Sequence, residues 1–102
     1  MKFFSTLAFL IAIVSVSAKK HRFCCCRNAT SCDSKSTQKI VDATGGRWEI
    51  INYSWNGEGC PFKGYNNWAH ANVKPDDGTI GGDEMQKACK PYGKASICFT
   101  PH

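Results

Sequence analysis

The chain of 102 residues lacks any apolar run long enough to cross a membrane. Its longest run, residues 3–14, falls short of the roughly 20 apolar residues that a spanning helix needs. The sequence therefore predicts no membrane anchor.

Metal-binding and nucleic-acid signals are scarce as well. The chain has no Cys-x-x-Cys unit, and its three histidines, His21, His70 and His102, are scattered, whereas zinc sites use closely spaced Cys and His ligands. Lys and Arg exceed Asp and Glu by 13 to 8, without the dense basic patch that nucleic acid requires. We expect no metal, no cofactor and no nucleic-acid partner.

The first eighteen residues have the three parts of a secretory signal peptide. Lys2 supplies the basic start, residues 3–14 the apolar segment, and Val16-Ser17-Ala18 a small-residue cleavage site. Residues 1–18 are thus predicted to be removed, which leaves a single domain over residues 19–102 in a secreted, extracellular protein.

Seven cysteines all fall in this mature region. A domain so small has a thin core, and each disulfide formed in an oxidising compartment could add roughly 2 to 4 kcal/mol. Seven is odd, so one cysteine stays unpaired or links two chains, and a disulfide-linked dimer is one outcome. The cysteines are Cys24, Cys25, Cys26, Cys32, Cys60, Cys89 and Cys98.

Three of them are consecutive, Cys24-Cys25-Cys26. Neighbouring cysteines rarely bond to one another, because the ring closed across one peptide is strained, so we expect distant partners. In an extended segment Cys24 and Cys26 point to one face and Cys25 to the other, which predicts a partner for Cys25 in a different layer. Cys89 and Cys98 are favoured as core partners. Spacing leaves the connectivity open.

Residue patterns predict an α+β fold, with about three short strands and two short helices stapled by disulfides. The apolar spacing from Ser36 to Gly45 indicates one helix, and acidic then basic residues over 83–90, before Pro91, indicate another. Alternating and β-branched residues predict strands over 47–53 and 95–99, with the cysteine triplet as the leading strand.

Residues 54–82 are rich in Gly, Asn, Pro and Asp, and are predicted to form a long aromatic loop. Cys32 and Cys60 are expected to tether loops. Trp55, Tyr65 and Trp68 are candidates for stacking on a sugar, with neighbouring amides for its hydroxyl groups. Alternatively, these aromatic rings fold back as a small cluster beneath the loop.

Two further surface features are predicted. Asn28-Ala29-Thr30 and Asn52-Tyr53-Ser54 are sequons, so Asn28 and Asn52 are glycosylation candidates in a secreted glycoprotein. The basic residues at 19–22 are expected to form a solvated, frayed end, with adhesion to anionic surfaces or proteolytic processing as alternatives.

Catalysis is not expected. A small secreted hydrolase or ribonuclease could use a histidine, a carboxylate and an arginine, types supplied by His70, Glu58 and Arg47, but nothing in their spacing brings them together. A secreted antimicrobial or toxin-like protein is another alternative, although the many acidic residues weaken membrane attack.

The leader, the small size, the seven cysteines and the aromatic Gly/Asn loop together resemble small secreted cysteine-rich effector proteins of filamentous, plant-associated fungi. The resemblance concerns organisation along the whole chain, and no family site is carried over. It implies a non-enzymatic, virulence-associated protein that binds a host protein or a cell-wall polysaccharide in the apoplast or at the host interface.

Overall fold

The computed structural model describes residues 20–101. The predicted leader, residues 1–18, lies outside the described residues, as do Lys19 and His102. The described part is α+β, as predicted. Its elements are β1 (Lys20–His21), β2 (Phe23–Arg27), α1 (Ser34–Asp42), β3 (Trp48–Tyr53), β4 (Asn66–Ala71), β5 (Ile80–Gly81), α2 (Gly82–Cys89), a 3₁₀ turn (Lys90–Tyr92) and β6 (Ala95–Phe99).

Four strands form one antiparallel sheet in the order β3-β4-β2-β6. Each helix joins two strands that have a third strand between them, so the chain contains two split β-α-β units. This is the ferredoxin-like connectivity. β1 and β5 pair separately as a short two-stranded ribbon.

Both helices pack on the same face of the sheet, which we call the helix face. The buried positions of α1 recur every three to four residues, with Thr37 followed by Ile40 and Val41, and Met85 and Cys89 are four residues apart on α2. They meet buried sheet residues in one core cluster. Its buried members are Cys24, Cys26, Ile40, Val41, Trp48, Ala69, Ala71, Ile80, Met85 and Cys89.

The cysteine triplet joins these layers as its alternation predicts. Cys24 and Cys26 point to the helix face, where they form disulfides with Cys98 on β6 and Cys89 on α2. Cys25 points to the other face and bonds to Cys32. The predicted core partners and the separate layer for Cys25 are therefore confirmed.

Within residues 20–101, no helix covers the opposite face of the sheet, which we call the loop face. It carries a second cluster, rich in aromatic residues, that the segment 54–65 covers in place of a helix. Burying these rings compensates for the missing helical layer, because aromatic side chains bury 150–250 Å² each. The buried members are Phe23, Cys25, Cys32, Phe62, Trp68 and Phe99.

Two parts of the chain are more ordered than predicted. The three predicted strands are present, but the stretch predicted as one long loop also contains β4, which pairs with strands on both sides. The basic end is not frayed at Lys20 and His21, because these residues pair with β5 and Lys20 Nζ donates to Asp77 Oδ2 at 2.7 Å.

Candidate functional site

Trp68, one of the three aromatic binding candidates, lies in the core. It is 0% exposed in the middle of β4, where its ring stacks on Phe62 and meets Phe99 edge-on, with ring centroids 5.9 and 4.8 Å apart. A ring enclosed in this way cannot stack on a ligand at the surface. Trp68 is therefore removed from the candidate site, and the alternative of an aromatic cluster beneath the loop holds for this residue.

Trp55 is half-buried and shapes the loop. Its Nε1 donates to the carbonyl oxygen of Glu58 at 2.9 Å, and its ring lies so close to Gly57 that a Cβ there would come within 2.8 Å of it. Gly57 is thus required by the close approach of the ring rather than by its backbone angles. The edge of Trp55 that remains accessible belongs to the outer surface of the segment 54–65.

Tyr65 is the aromatic residue that the loop presents to solvent, with 74% of its surface exposed. The next residue, buried Asn66, begins β4 and accepts a hydrogen bond from Cys32 N–H at 2.9 Å through Oδ1. This bond ties the backbone beside Tyr65 to the loop that the Cys25–Cys32 disulfide closes. The tyrosine ring is therefore exposed to solvent, while the backbone next to it is held in place.

A cleft of about 510 Å³ lies beside this loop, between Phe62 and the 28–31 turn. Arg27 forms one wall, since its guanidinium donates to the carbonyl oxygens of Asn28 and Ala29 and lies 5.2 Å from the Phe62 ring centroid. The cleft combines apolar and basic groups at a size typical of small-ligand pockets. Its lining is Arg27, Ala29, Thr30, Pro61, Phe62, Lys63 and Ile97.

Cys60 does not tether this loop through a disulfide, contrary to the expectation. It is the one free cysteine, half-buried against the loop-face cluster, with Sγ donating to the carbonyl oxygen of Phe62 at 3.2 Å. Hydrophobic packing on the loop-face cluster and side-chain hydrogen bonds from Trp55 and Asn66 to carbonyl oxygens of the segment hold it instead. All three disulfides are within the chain.

The two sequons lie in different settings. Asn28 is exposed in the turn after β2, where its Oδ1 accepts from Lys94 Nζ at 2.7 Å and its side chain also bonds to the carboxyl of Asp33. Asn52 is exposed on β3, where its Nδ2 donates to Asn67 Oδ1 at 2.8 Å. Glycosylation of either residue remains a prediction.

A second cavity, of about 440 Å³, lies where β1 and β2 meet the loop that follows β4. Sequence patterns did not single it out as a site, because Arg22 is far in the chain from the other lining residues, which all fall between His70 and Thr79. Asp77 and Gly78 fall within the stretch 54–82, for which the sequence predicts only a loop. The lining residues are Arg22, His70, Ala71, Asn72, Val73, Asp77, Gly78 and Thr79.

Asp77 is fixed by ionic and neutral hydrogen bonds in this cavity. Lys20 donates to its Oδ2, and the backbone N–H and hydroxyl of Thr79 donate to its Oδ1, each at 3.0 Å. These bonds, that of Lys20 foremost, hold the pKa of the Asp77 carboxyl well below its usual range. The same hydrogen bond raises the pKa of Lys20.

The three residues considered for hydrolysis do not share one site. Arg47 extends over the Trp48 ring and bonds to Asp76 and Glu84. His70 lies on the loop face, with Nε2 4.0 Å from Oε1 of Glu49, its partner across β3 and β4.

No family model, curated protein or solved structure matches the chain. Within residues 20–101, no group of Cys, His, Asp and Glu is arranged to hold a metal ion. None of the helices in this described part is both long and apolar enough to span a membrane. The functional argument therefore depends on surface geometry.

Proposed function

We propose that the protein is a secreted, effector-like binding protein that acts at a host interface, through contacts of the segment 54–65 with a cell-wall glycan or a host protein. The observation that carries this proposal is Tyr65, whose ring is exposed on a segment flanked by Tyr53 and Asn66, which pair in the sheet. An exposed aromatic face held by a rigid scaffold suits a flat sugar ring, because little conformational entropy is lost on binding.

Neighbouring groups support a glycan as the first ligand to test. Lys63 and Thr30 line the adjacent cleft and offer hydrogen-bonding groups, while Pro61 and Phe62 add apolar surface. Sugars present hydroxyl groups around an apolar ring face, so a mixed surface of this kind matches them. A host protein that inserts a side chain into the cleft is the other ligand class covered by the proposal.

Retention of the purified protein on insoluble polysaccharides tests the proposal. Chitin, cellulose and β-glucan are incubated with wild type, Tyr65→Ala and Tyr92→Ala. Tyr92 is the matched control, because it is also exposed, at 43%, but lines a cavity between the helices. We expect Tyr65→Ala to weaken binding about fivefold or more, as loss of roughly 1 kcal/mol of aromatic contact implies.

The two variants must differ for the glycan proposal to hold. Equal retention of wild type and Tyr65→Ala on a polymer that binds the wild type would exclude stacking by Tyr65. If none of the three polymers retains the wild type, chitin, cellulose and β-glucan are excluded as ligands of the segment 54–65, and a host protein becomes the next ligand to test.

Hydrolysis is the second candidate function, because the cavity of His70 also holds Arg22, and Glu49 lies 4.0 Å from His70 Nε2. An acid, a base and a cation are the groups that phosphodiester cleavage uses. Incubation of RNA with wild type and His70→Ala checks this candidate. Cleavage by the wild type alone would favour it, and no cleavage by either would exclude a ribonuclease.

A further inference from the structure

The 440 Å³ cavity contains one cation whose charge the protein does not compensate. Within residues 20–101, no acceptor takes a hydrogen bond from the Arg22 guanidinium, whose Cζ lies 5.9 Å from the Phe23 ring centroid. Only the Arg22 backbone N–H is bonded, to Thr100 Oγ1 at 3.2 Å. All five guanidinium donors are thus available to a ligand.

The carboxylate in the cavity does not cancel this charge. Lys20 already pairs with Asp77, and Thr79 bonds to its other oxygen. His70 faces Glu49, which is itself mostly exposed. The uncompensated charge of the cavity is therefore the positive charge of Arg22, and a carboxylate is its natural partner, since it can accept two parallel bonds from a guanidinium.

The rest of the lining presents acceptors and an apolar wall. Asn72 uses Nδ2 to bond to the carbonyl oxygen of Gly46, which leaves Oδ1 as an acceptor. Thr79 donates its hydroxyl hydrogen to Asp77, which leaves the lone pairs of Oγ1. Val73 is 79% exposed and is the most exposed large apolar side chain of the described residues.

The loop that forms this wall is held at several points. Lys20 bonds to Asp77, and the N–H of Gly78 donates to the carbonyl oxygen of Asn72 at 3.2 Å. Asp76 accepts from Arg47 and from Nε1 of Trp48 at 3.0 and 3.2 Å. A loop fixed in this way loses little entropy when a ligand binds.

We propose that this cavity binds a uronic acid residue of an acidic polysaccharide, with the sugar carboxylate on Arg22 and its hydroxyl groups on Asn72 and Thr79. A uronic acid carries both a carboxylate, which matches Arg22, and hydroxyl donors, which match the acceptors of Asn72 and Thr79. An acidic side chain of a peptide supplies the anion without hydroxyl groups beside it, and backbone N–H groups are the donors it brings instead. The proposal does not rest on the function of Tyr65, which lies on a different loop.

Calorimetric titration with trigalacturonate tests the proposal, with its methyl ester as the uncharged ligand control. Arg22→Gln removes the guanidinium, and Lys39→Gln removes an equal charge from the exposed surface of α1. We expect Arg22→Gln and esterification each to weaken binding about tenfold or more, as loss of a charged hydrogen-bonded pair implies. Lys39→Gln and Tyr65→Ala should bind as the wild type does.

Three results would overturn the assignment. The first is no binding of trigalacturonate by the wild type at millimolar concentration. The second is an equal loss in Arg22→Gln and Lys39→Gln, which would mean general charge attraction. The third is equally tight, Arg22-dependent binding of triglutamate, which would assign the cavity to acidic peptides. Matching thermal midpoints of the variants and the wild type establish that Arg22→Gln is folded.

Discussion

Cys25 and Cys26 are adjacent in the chain, yet their disulfides leave opposite faces of the sheet, to Cys32 and to Cys89. β2 is therefore the centre of a three-layer arrangement, with helices on one side and the loop-face cluster on the other. The segment 54–65, whose only cysteine is the free Cys60, packs on this sheet without a disulfide to hold it there.

The two long-range disulfides should stabilise the fold non-additively. Cys24–Cys98 and Cys26–Cys89 span 74 and 63 residues, but with one intact the other closes a path of only roughly a dozen residues. Removing either pair by Cys→Ala should cost about 3 kcal/mol, and removing both about 7 kcal/mol. Urea unfolding of the single, double and wild-type forms measures the difference, and strictly additive values would contradict this mechanism.

Substitution of Trp68 should lower stability, whereas substitution of Tyr65 should affect binding and leave stability nearly unchanged. Trp68→Ala leaves a large cavity under the loop and should cost about 3 to 5 kcal/mol, whereas Tyr65→Ala at the surface should stay within about 0.5 kcal/mol. Thermal and urea unfolding check both values. A strong destabilisation by Tyr65→Ala would mean that its ring is packed, against the exposure on which the proposed function depends.

Trp68→Phe offers a finer test of the same core position. The indole Nε1 is the one buried side-chain nitrogen or oxygen within residues 20–101 that has no hydrogen-bond partner. Removing this unpaired donor should offset, by about 1 kcal/mol or more, the stability that is lost because the phenyl ring is smaller than the indole. Trp68→Phe should therefore cost less than about 2 kcal/mol in urea unfolding, and a loss as large as the about 3 to 5 kcal/mol expected for Trp68→Ala would contradict that estimate.

Asp33 should make α1 sensitive to acid. Its Oδ2 accepts from Oγ and N–H of Ser36 at 2.6 and 3.0 Å, and these bonds lower the pKa of the Asp33 carboxyl, that of the hydroxyl foremost. Since the pKa is lower in the folded than in the unfolded state, the stabilisation is present above about pH 4 and lost as the pH falls through the folded value.

Urea unfolding between pH 5 and 2 measures this effect, with Asp33→Asn as the control. Asparagine still accepts the capping bond but does not titrate. Between pH 5 and 2 the free energy of unfolding of Asp33→Asn should therefore fall less than that of the wild type, by a difference of at most about 1 kcal/mol. Asp77 titrates in both proteins and cancels in the comparison. Parallel curves for the two proteins would show that Asp33 does not contribute to acid sensitivity.

Cys60 should be the single reactive thiol. Because it is half-buried and bonded to Phe62, alkylation should be slower in the native than in the urea-unfolded protein, and should stop at one label per chain. Mass spectrometry without reduction counts the label. If a disulfide-linked dimer forms, Cys60→Ser should abolish it, and a dimer that persists in Cys60→Ser would contradict the assigned bridges.

The sequence predicts those parts of the fold that follow from local spacing. Both the helical spacing from Thr37 to Ile40 and Val41 and the alternating faces of the cysteine triplet reappear in the structure. β4 was missed because Asn66 and Asn67 have weak strand propensity, and this strand owes its stability to pairing on both sides.

The candidate sites were less predictable than the fold. Trp55, Tyr65 and Trp68 are equivalent as aromatic residues in a polar stretch, and only the packing of β4 separates a core ring from an exposed one. The cavity of Arg22 depends on the pairing of Lys20 with Asp77, a contact between distant segments that no local pattern indicates.

Nuclear magnetic resonance titration of ¹⁵N-labelled protein with soluble glycan fragments tests the central claim, that the segment 54–65 is the binding surface. For fragments of a polysaccharide that retains the wild type, we expect amide shifts at Lys63, Gly64 and Tyr65 and at Thr30 across the cleft. Shifts confined to α2 and the 3₁₀ turn, or their persistence in Tyr65→Ala with unchanged affinity, would contradict the account.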